Sequence, residues 1–407
     1  MIKKFRKFKK FQKFRKFKKF SEPKKFFGSK KPKKILRKPK SQIVKKLMAK
    51  RLTAVTKQSS AKKTKKQKIF SSKGGSASGG KDSKVVIKIV GIGGCGGNVI
   101  TDMVTKMQGE IFRNISLIAI NTDIQDLDDG KAQQKIYIGK NLTKGLGTGM
   151  NPELGQQAAD ESRGEIVEAI KGADLVFVIA GLGGGTGTGG VPLVAQLAKE
   201  TGALTIAAVT TPFSFEGAQR ARIAEEGLKN LIEIADTTII IRNNRILEII
   251  DKETTLSDAF ALCNNVLINA VRGISEPILK PGIINLDFAD VKTIMAEAGP
   301  AVMGIGQANG DERAIEAAKK AVSFPLLNIS IDGAKGILFS VASRKPLTLS
   351  EVNEVAKIIT ASADPDAKII FGVIRDESLK KGELKVTVVA TGFSGQGSEV
   401  IPKRKDK

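Results

Sequence analysis

The stretch Gly181-Leu182-Gly183-Gly184-Gly185-Thr186-Gly187-Thr188-Gly189-Gly190 decides the fold of this chain. The apolar run 173–180 precedes it and the apolar segment 191–198 follows it, which predicts a loop between a buried strand and a helix. Backbone N–H groups at the start of a helix are unpaired and lie at the positive end of the helix dipole. Because glycines let such a backbone close around an anion, and the hydroxyls of Thr186 and Thr188 add donors, the stretch is predicted to bind phosphate. The alternative is a flexible linker, but linkers are seldom flanked by a buried strand and an apolar helix.

The composition excludes several classes of site. The 407 residues contain no histidine, which excludes Ser-His-Asp and Cys-His catalysis and histidine metal sites. The two cysteines, Cys95 and Cys263, indicate neither a disulfide framework nor a zinc site and are typical of a reducing cytosol. The pattern Gly-x-x-x-x-Gly-Lys-Ser/Thr is absent, so the predicted phosphate site is not a P-loop. No run of about twenty apolar residues occurs, and we expect a cytoplasmic protein.

Almost all of the net charge of +27 lies in residues 1–84, which we call the basic arm. This arm holds 33 of the 68 Lys and Arg residues but only 2 of the 41 acidic residues, so residues 85–407 are slightly acidic. Phenylalanine recurs at every third residue from Phe5 to Phe20, a spacing that winds around a helix and marks no single face. We therefore predict a solvated, extended arm that ends in a Ser/Gly linker at 71–80 and binds phosphates of acidic lipid or nucleic acid. The alternatives are a solvated tail without a specific partner and a transit peptide.

Two further glycine-rich stretches occur, at 91–98 (GIGGCGGN) and at 145–151 (GLGTGMN). The first follows an apolar strand and matches the dinucleotide fingerprint Gly-x-Gly-x-x-Gly, although the acids that follow, Glu110 and Asp123, are not placed as that fingerprint requires. A nicotinamide site is therefore the alternative. Cys95 within this stretch is predicted to be a small lining residue and not a nucleophile. Because strands and helices alternate from 85 to 241, we predict a mostly parallel sheet whose carboxyl-end loops surround one polyphosphate.

The segment from Gly183 to Gly189 resembles the signature loop of the tubulin/FtsZ family, and the neighbouring loops are more similar to bacterial FtsZ than to tubulin. The resemblance extends from about residue 85 to residue 392. It implies an α/β fold with a Rossmann-like, parallel-sheet GTPase domain at 85–253, a long connecting helix at 254–280 and a smaller α+β domain at 281–392. A short basic tail, 393–407, completes the chain.

The same resemblance implies GTP or GDP as the ligand, with Mg²⁺ held through the phosphates and no protein ligand to the metal. The residues that it assigns to the phosphates and to the border of the site are Gly93, Gly94, Cys95, Asn98, Asn121, Asp123, Thr148, Gly149, Asn151, Gly183, Gly184, Gly185, Thr186, Gly187 and Thr188. Glu216 and Arg220 would contact the ribose, and their alternative role is a surface ion pair. Asn243, Phe260 and Asn265 would bind guanine, with Phe260 stacked on the base and Asn265 at its edge.

Asn285, Asp287 and Asp290 match the family's catalytic loop, residues 283–290 here, which acts on the nucleotide of the next subunit. On spacing alone, the two aspartates would be caps at a helix start. Carboxylates can also orient and polarise a water for attack on the γ-phosphate when Mg²⁺ screens the charges. The resemblance therefore implies an assembly-dependent GTPase that forms head-to-tail filaments at the cell-division site.

Two expectations concern partners and alternatives. FtsZ proteins carry a long linker and a terminal peptide that binds adaptors, whereas only Ile401-Pro402 in the tail resembles such a peptide. We therefore do not expect the tail to recruit other division-ring proteins, and we expect the basic arm to supply attachment. The alternatives to the filament GTPase are a monomeric dinucleotide-binding enzyme and a GTP-binding polymer with little hydrolysis.

Overall fold

The structure, a computed structural model, describes residues 85–393 except 107–113, 252, 281 and 326–330. The basic arm, its linker and all but the first residue of the tail lie outside the described residues. None of the helices among the described residues combines the length and the hydrophobicity that a membrane span requires. The elements follow in the order β1 (Ile87–Ile92), α1 (Gly93–Lys106), β2 (Ile115–Asn121), α2 (Ile124–Asp129), β3 (Gln134–Tyr137), α3 (Pro152–Glu161), α4 (Arg163–Ile170), β4 (Leu175–Gly181), α5 (Thr186–Glu200), β5 (Leu204–Thr211), a 3₁₀ turn (Ser214–Glu216), α6 (Ala218–Ile234), β6 (Thr237–Arg242), α7 (Asn243–Ile246), α8 (Leu256–Leu279), α9 (Phe288–Met295), β7 (Gly299–Asn309), α10 (Arg313–Val322), β8 (Gly336–Ser343), α11 (Leu349–Ala361), β9 (Lys368–Arg375) and β10 (Glu383–Thr391).

The described strands form one ten-stranded sheet in the order β3-β2-β1-β4-β5-β6-β7-β10-β8-β9. The six strands from β3 to β6 pair in parallel, as the alternation of strands and helices predicts. The central strands β1, β4 and β5 are almost continuously apolar because both faces of the sheet are buried. Val178 belongs to the core on one face and its neighbour Phe177 to the core on the other. The carboxyl ends of these strands therefore share one edge, where a ligand site is expected.

The second half of the chain extends the same sheet. β7 pairs in parallel with β6 only at its start, where Gly299 lies opposite Thr237. β10 then lies antiparallel between β7 and β8, and β9 is parallel to β8. Helix α10 packs on β7 and β10 and against α11. The predicted α/β fold with a C-terminal α+β part is confirmed, with both parts joined by one continuous sheet.

Helix α8 connects the two parts and lies within the predicted connecting helix at 254–280. It begins after Thr255, whose side chain accepts a hydrogen bond from the backbone N–H of Asp258, a standard N-cap. It continues through Pro277 to Leu279 and is 24 residues long, which corresponds to about 36 Å. In its C-terminal half, Gly273 lies so close to Thr387 of β10 that a Cβ there would be 2.6 Å from the threonine methyl group. The helix is therefore a rod packed against the sheet over most of its length.

The C-terminal end of α8 carries a buried charge cluster of Arg272, Glu276, Lys280, Asp376 and Lys385. Glu276, 3% exposed, binds Arg272 Nε at 2.6 Å and Lys280 Nζ at 3.2 Å, and Lys280 Nζ lies 3.9 Å from Asp376 Oδ1. Burial lowers the pKa of Lys385, and repulsion from Arg272 and Lys280 acts in the same direction against attraction by the two carboxylates. The cluster thus contains three cations and two acids, one positive charge in excess, at the junction between α8 and the C-terminal strands.

Candidate nucleotide-binding site

An open cavity of about 470 Å³ lies at the carboxyl ends of β1, β4 and β5. Its lining combines the starts of two helices, the ends of three strands and the N-terminal part of α8. The lining residues are Ile92, Gly93, Gly94, Cys95, Asn98, Gly181, Leu182, Gly184, Gly185, Thr186, Gly187, Thr210, Pro212, Glu216, Arg220, Asn243, Phe260, Cys263 and Asn264. The edge of the sheet predicted for the ligand is the edge where this cavity occurs.

Two helices begin within the glycine-rich stretches that were predicted to be loops. α1 starts at Gly93, directly after β1, and α5 starts at Thr186, so half of the signature stretch is helical. Gly93 has φ +69°, and a Cβ on it would lie 3.1 Å from the backbone nitrogen of Gly187. Only glycine allows this conformation and this approach without strain. The first turns of two helices therefore line the same cavity, an arrangement that favours anion binding.

The threonine hydroxyls hold the loops around the cavity together. Thr186 Oγ1 lies 2.6 Å from Thr122 Oγ1 and 3.3 Å from Thr148 Oγ1. Thr188 Oγ1 accepts a hydrogen bond of 2.9 Å from the backbone N–H of Gly183. Of the two threonines predicted to donate to phosphate, Thr186 lines the cavity and Thr188 does not.

The loop at 145–151 lies behind the cavity and supports it. Asn151 caps α3 by accepting a hydrogen bond from the backbone N–H of Leu154 at 3.2 Å. Gly185 packs against this loop so closely that a Cβ would lie 2.1 Å from Thr148 Oγ1 and 2.7 Å from the Asn151 carbonyl oxygen. The predicted border residues Thr148, Gly149 and Asn151 are not among the cavity-lining residues, and neither is Gly183.

An acidic residue that sequence reasoning missed lies next to the first glycine stretch. Asp126 Oδ2 accepts a hydrogen bond of 2.6 Å from Asn121 Nδ2 and would lie 3.2 Å from a Cβ on Gly94. Burial raises the pKa of Asp126, and the nearby Asp123 raises it further. Asp123 itself caps α2 by accepting hydrogen bonds from the Gln125 and Asp126 backbone. Asn121 and Asp123 thus form a layer beside the cavity and do not line it.

The opposite end of the cavity is suited to a base. Phe260, 41% exposed, packs edge-to-face on the buried Phe213, with ring centroids 5.6 Å apart, and Phe213 stacks on Phe215 at 5.0 Å. Asn243 is buried, and its Oδ1 has no hydrogen-bond partner within the described part of the chain. Because a buried polar atom without a partner is costly, this oxygen at the cavity wall favours a ligand that donates to it.

Asn264, and not the predicted Asn265, lines this end of the cavity. Residues four apart share one face of a helix, so Asn264 lies on the same face of α8 as Phe260. Asn265 is one residue further around the helix, and its Oδ1 accepts a hydrogen bond of 2.8 Å from Lys106 Nζ. Of this adjacent asparagine pair, the member that lines the cavity is therefore Asn264, and the predicted Asn265 lies outside the lining.

Glu216 and Arg220 form an ion pair at 2.8 Å, and both also line the cavity. The second oxygen of Glu216 accepts a hydrogen bond of 2.9 Å from the backbone N–H of Phe213. The position of Glu216 and Arg220 therefore agrees with both predicted roles, an i,i+4 ion pair and a contact with the ribose.

Both cysteines lie in the cavity wall. Burial raises the pKa of the Cys95 thiol despite its contact with Thr210 Oγ1 at 3.9 Å, and burial raises the pKa of Cys263 to about 12. Both side chains are therefore neutral thiols at physiological pH, which agrees with the prediction that Cys95 is not a nucleophile.

The predicted catalytic loop lies away from the cavity. Asp287 caps α9 by accepting a hydrogen bond from the backbone N–H of Ala289, and Asn285 Oδ1 accepts one from Gly282. Ile283 donates to the Val373 carbonyl of β9 at 2.9 Å, which anchors the loop to the C-terminal part. Along α8 alone, Leu279 lies fifteen residues, or about 22 Å, beyond Asn264. None of the three predicted catalytic residues lines the cavity.

The described residues fit a nucleotide better than a metal bound by side chains. No group of three or more Cys, Asp or Glu side chains among them is arranged to hold a metal ion. Two helix starts, an unpaired buried amide oxygen and an aromatic ring instead meet in one cavity. These are the groups that phosphates, a hydrogen-bonding base edge and a base face require.

Comparison with known proteins agrees with this site. Residues 86–251 match the model of the tubulin/FtsZ family GTPase domain, and residues 299–394 match the FtsZ family C-terminal domain. A solved dimer of FtsZ from M. jannaschii is 45% identical, with 78% of this chain and 90% of that chain covered and a TM-score of 0.72. A mutant of M. jannaschii FtsZ gives 46% identity, coverage of 77% and 93%, and a TM-score of 0.73.

A more distant structure shares the fold. It is the GTPγS-bound protofilament of CetZ2 from Haloferax volcanii, 22% identical, with 75% of this chain and 92% of that chain covered and a TM-score of 0.64. Since two family models cover most of the described residues and a solved relative is matched over nine-tenths of its length, the chain belongs to the tubulin/FtsZ family, and its residues 86–251 are a GTPase domain that binds GTP and GDP.

Proposed function

We propose that this protein is a GTP-dependent filament-forming GTPase of cell division, in which each subunit hydrolyses the nucleotide held by its neighbour. The observation that carries the proposal is the separation of the two half-sites. The cavity lies at the start of α8, and the loop with Asp287 and Asp290 follows the end of the same helix. Since α8 is a packed rod, one chain cannot bring its own loop to its own nucleotide, and head-to-tail association brings the two together.

Within the cavity, the backbone N–H groups at Gly93, Gly94, Thr186 and Gly187 would hold the phosphates. Mg²⁺ would supply neutralisation of the phosphate charge, bound through phosphate oxygens and water. Asp287 and Asp290 of the adjoining subunit would then orient and polarise the attacking water, because a carboxylate accepts its hydrogen bonds.

The base end supports guanine. Phe260 would stack on the base, and the amide oxygens of Asn243 and Asn264 would accept hydrogen bonds from its N–H groups. Glu216 and Arg220 would contact the ribose, with the carboxylate accepting from the hydroxyls. Asn264 takes the role first expected of Asn265 because it lines the cavity.

Exposed apolar side chains support the association. Leu146, in the loop behind the cavity, is 86% exposed, and Ile283, in the catalytic loop, is 70% exposed. Association between subunits would bury apolar surface of this kind, which favours binding. The related FtsZ of M. jannaschii forms a dimer, and the CetZ2 relative forms a protofilament.

The decisive experiment mixes two inactive variants. Asp290→Ala removes a loop carboxylate and leaves the cavity intact. Gly184→Glu places a carboxylate in the cavity, at a position where a Cβ meets no atom within 4 Å, so it repels phosphate without a steric clash. Each variant alone should release little phosphate from GTP, whereas the mixture should recover activity because the intact loop of Gly184→Glu reaches GTP bound by Asp290→Ala.

Dilution and a control complete the test. Wild-type phosphate release per molecule should rise above a threshold concentration, and Asp366→Asn, a surface change, should behave as wild type. An inactive mixture, or equal activity per molecule in dilute monomer, would refute catalysis in trans. A monomeric dinucleotide enzyme would respond to NAD without any threshold, and a polymer with little hydrolysis would sediment with GTP but release no phosphate.

We also propose that the basic arm attaches the filaments to a polyanion. The polyanion would be acidic lipid on the cytoplasmic face of the membrane at the division site. The charge of residues 1–84 alone supports this proposal. Full-length protein should co-sediment with phosphatidylserine vesicles in a salt-sensitive way, and protein without residues 1–84 should not. Equal binding by both proteins would refute this role of the arm, and preference for DNA would assign the arm to nucleic acid.

A further inference from the structure

A chain of polar side chains connects the base end of the cavity to helix α1. Asn264 Nδ2 donates to Asp102 Oδ2 at 3.4 Å. The same carboxylate oxygen lies 3.4 Å from Lys106 Nζ, one turn further along α1. Lys106 Nζ also donates to Asn265 Oδ1 at 2.8 Å. Asp102 is thus held from one side by Lys106 and faces the amide of the cavity-lining Asn264 on the other.

The carboxylate of Asp102 fixes which end of the Asn264 amide faces the base. An amide carries an acceptor oxygen and a donor NH₂ group, and it can present either one. An ionised carboxylate only accepts, so the NH₂ group of Asn264 must turn toward Asp102. The oxygen Oδ1 is then the group left for a ligand in the cavity.

This orientation selects guanine over related bases. The guanine edge presents adjacent N1–H and N2–H₂ donors, which an acceptor oxygen satisfies. Xanthine has an oxygen in place of the 2-amino group, so it would set two acceptors against each other. A site that leaves a polar group unpaired rejects the wrong ligand far more strongly than one that merely loses a contact.

The neighbouring groups make Asp102 a positioning residue and not a major source of stability. Its side chain is 34% exposed and that of Lys106 is 42% exposed, so their attraction is largely screened by solvent. The role of the pair with Lys106 is to hold the carboxylate at the asparagine. Asn265, which is outside the lining, completes the arrangement by fixing Lys106.

We propose that Asp102 is a specificity-determining residue for guanine, acting through the orientation of the Asn264 amide. The inference rests on the proposed guanine contact of Asn264. In Asp102→Asn the partner at 102 can either donate or accept, so Asn264 is free to turn its NH₂ group toward the base.

The test uses the full chain and measures the dissociation constants of GTP, ITP and XTP by competition with a fluorescent GTP analogue. Asp102→Asn should reduce the preference for GTP over XTP about tenfold, the size of one hydrogen bond. Asp128→Asn, the same change on the surface of α2, should keep the wild-type preference. ITP, which lacks the 2-amino group, should show a smaller change than XTP.

A rescue distinguishes orientation from a general structural effect. In the double variant Asp102→Asn, Asn264→Asp, the carboxylate at 264 accepts in either orientation, so the preference for GTP should return. Equal weakening of all three nucleotides by Asp102→Asn, or no rescue by the second change, would overturn the proposal. Failure of the wild-type protein to bind GTP would instead refute the proposed function.

Discussion

Replacement of Gly189 with alanine should open the nucleotide site, although Gly189 is not part of its lining. An added Cβ would lie 1.8 Å from the Pro152 carbonyl oxygen and 2.8 Å from the Gln156 nitrogen, both in helix α3. A contact of about 3.2 Å is the shortest that backbone atoms tolerate without displacement, so α3 must retreat from α5 by about 1.4 Å. Neither helix backbone can compress, which makes a shift of the whole helix the available relaxation.

The shift of α3 reaches the nucleotide through its N-cap. Asn151 begins α3, and together with Thr148 it packs directly on Gly185 in the cavity wall. Overpacking of this kind costs about 1–3 kcal/mol of stability. Because a misplacement of about 1 Å at a reacting centre can cost about a hundredfold in rate, we expect GTP turnover to fall by one to two orders of magnitude. GTP affinity should fall as well, by at least about tenfold.

Thermal unfolding and isothermal titration with GTP test this prediction. The matched control is Gly164→Ala in the neighbouring helix α4, where a Cβ meets no atom within 4 Å. That change should stabilise the protein by about 0.5–1 kcal/mol and leave GTP binding intact, since alanine is the better helix former. If Gly189→Ala binds GTP as tightly as Gly164→Ala does, the coupling from α3 through Gly185 to the cavity is wrong.

Three further predictions concern charge and protonation. Glu276→Gln should lower the free energy of unfolding, measured by chemical denaturation, by about 3 kcal/mol because it leaves buried cations unpaired. Lys385→Met should not lower it, because this change removes the surplus cation of the same cluster. The opposite order of the two variants would contradict this account. Burial raises the pKa of Glu351, but hydrogen bonds from Arg313 and Thr348 outweigh it and hold this pKa below 4.5. The stability that Glu351 gains from its ion pair with Arg313 is therefore complete above about pH 4.5 and is lost as the pH falls through the folded pKa. Glu351→Gln should make the free energy of unfolding less dependent on pH at the acid end, and an unchanged dependence would exclude this ion pair as its cause. Cys95 should react with iodoacetamide at pH 7.5 more slowly than free cysteine, because burial raises the pKa of its thiol. Bound GTP should slow the reaction further, since Cys95 lines the cavity, and mass spectrometry can follow the modification. Reaction at the rate of a free thiol would show that burial does not control the reactivity of Cys95.

The parallel half of the fold could be predicted from the sequence because each of its strands carries its own signal. A strand buried on both faces is a continuous apolar run, as in Leu175 to Ala180, and a helix follows each glycine-rich turn. The pairing of β10 between β7 and β8 could not be predicted, because no local pattern specifies which distant strand fills a gap in a sheet. Two helix starts within the glycine stretches were not predicted, since glycine is a poor helix former and the helical conformation of Gly96 and Gly187 depends on packing.

The site was predicted less completely than the fold, because its lining depends on which face of a helix each side chain occupies and on residues distant in sequence. The spacing of four residues from Phe260 distinguishes Asn264 from Asn265 in the sequence, but the family resemblance selected Asn265. A difference of about 100° around the helix decides which of the two lines the cavity. Asp102 and Asp126 were missed because their significance lies in a partner distant in sequence or in burial, and neither residue belongs to a motif. Residue types at a fixed spacing can be found in a sequence, whereas the neighbours that orient them require the structure.

The length of helix α8 explains why we expect GTP hydrolysis to depend on assembly. Phe260 and Asn264 at one end line the cavity. Arg272 and Glu276 at the other end belong to the buried charge cluster, and the loop proposed to be catalytic follows it. A packed helix of this length cannot shorten, so the distance between a subunit's nucleotide cavity and its own Asp287 and Asp290 is fixed by the fold. If hydrolysis occurs between subunits as proposed, its rate would report how well a neighbouring subunit fits against the cavity, and nucleotide turnover would measure the contact between subunits.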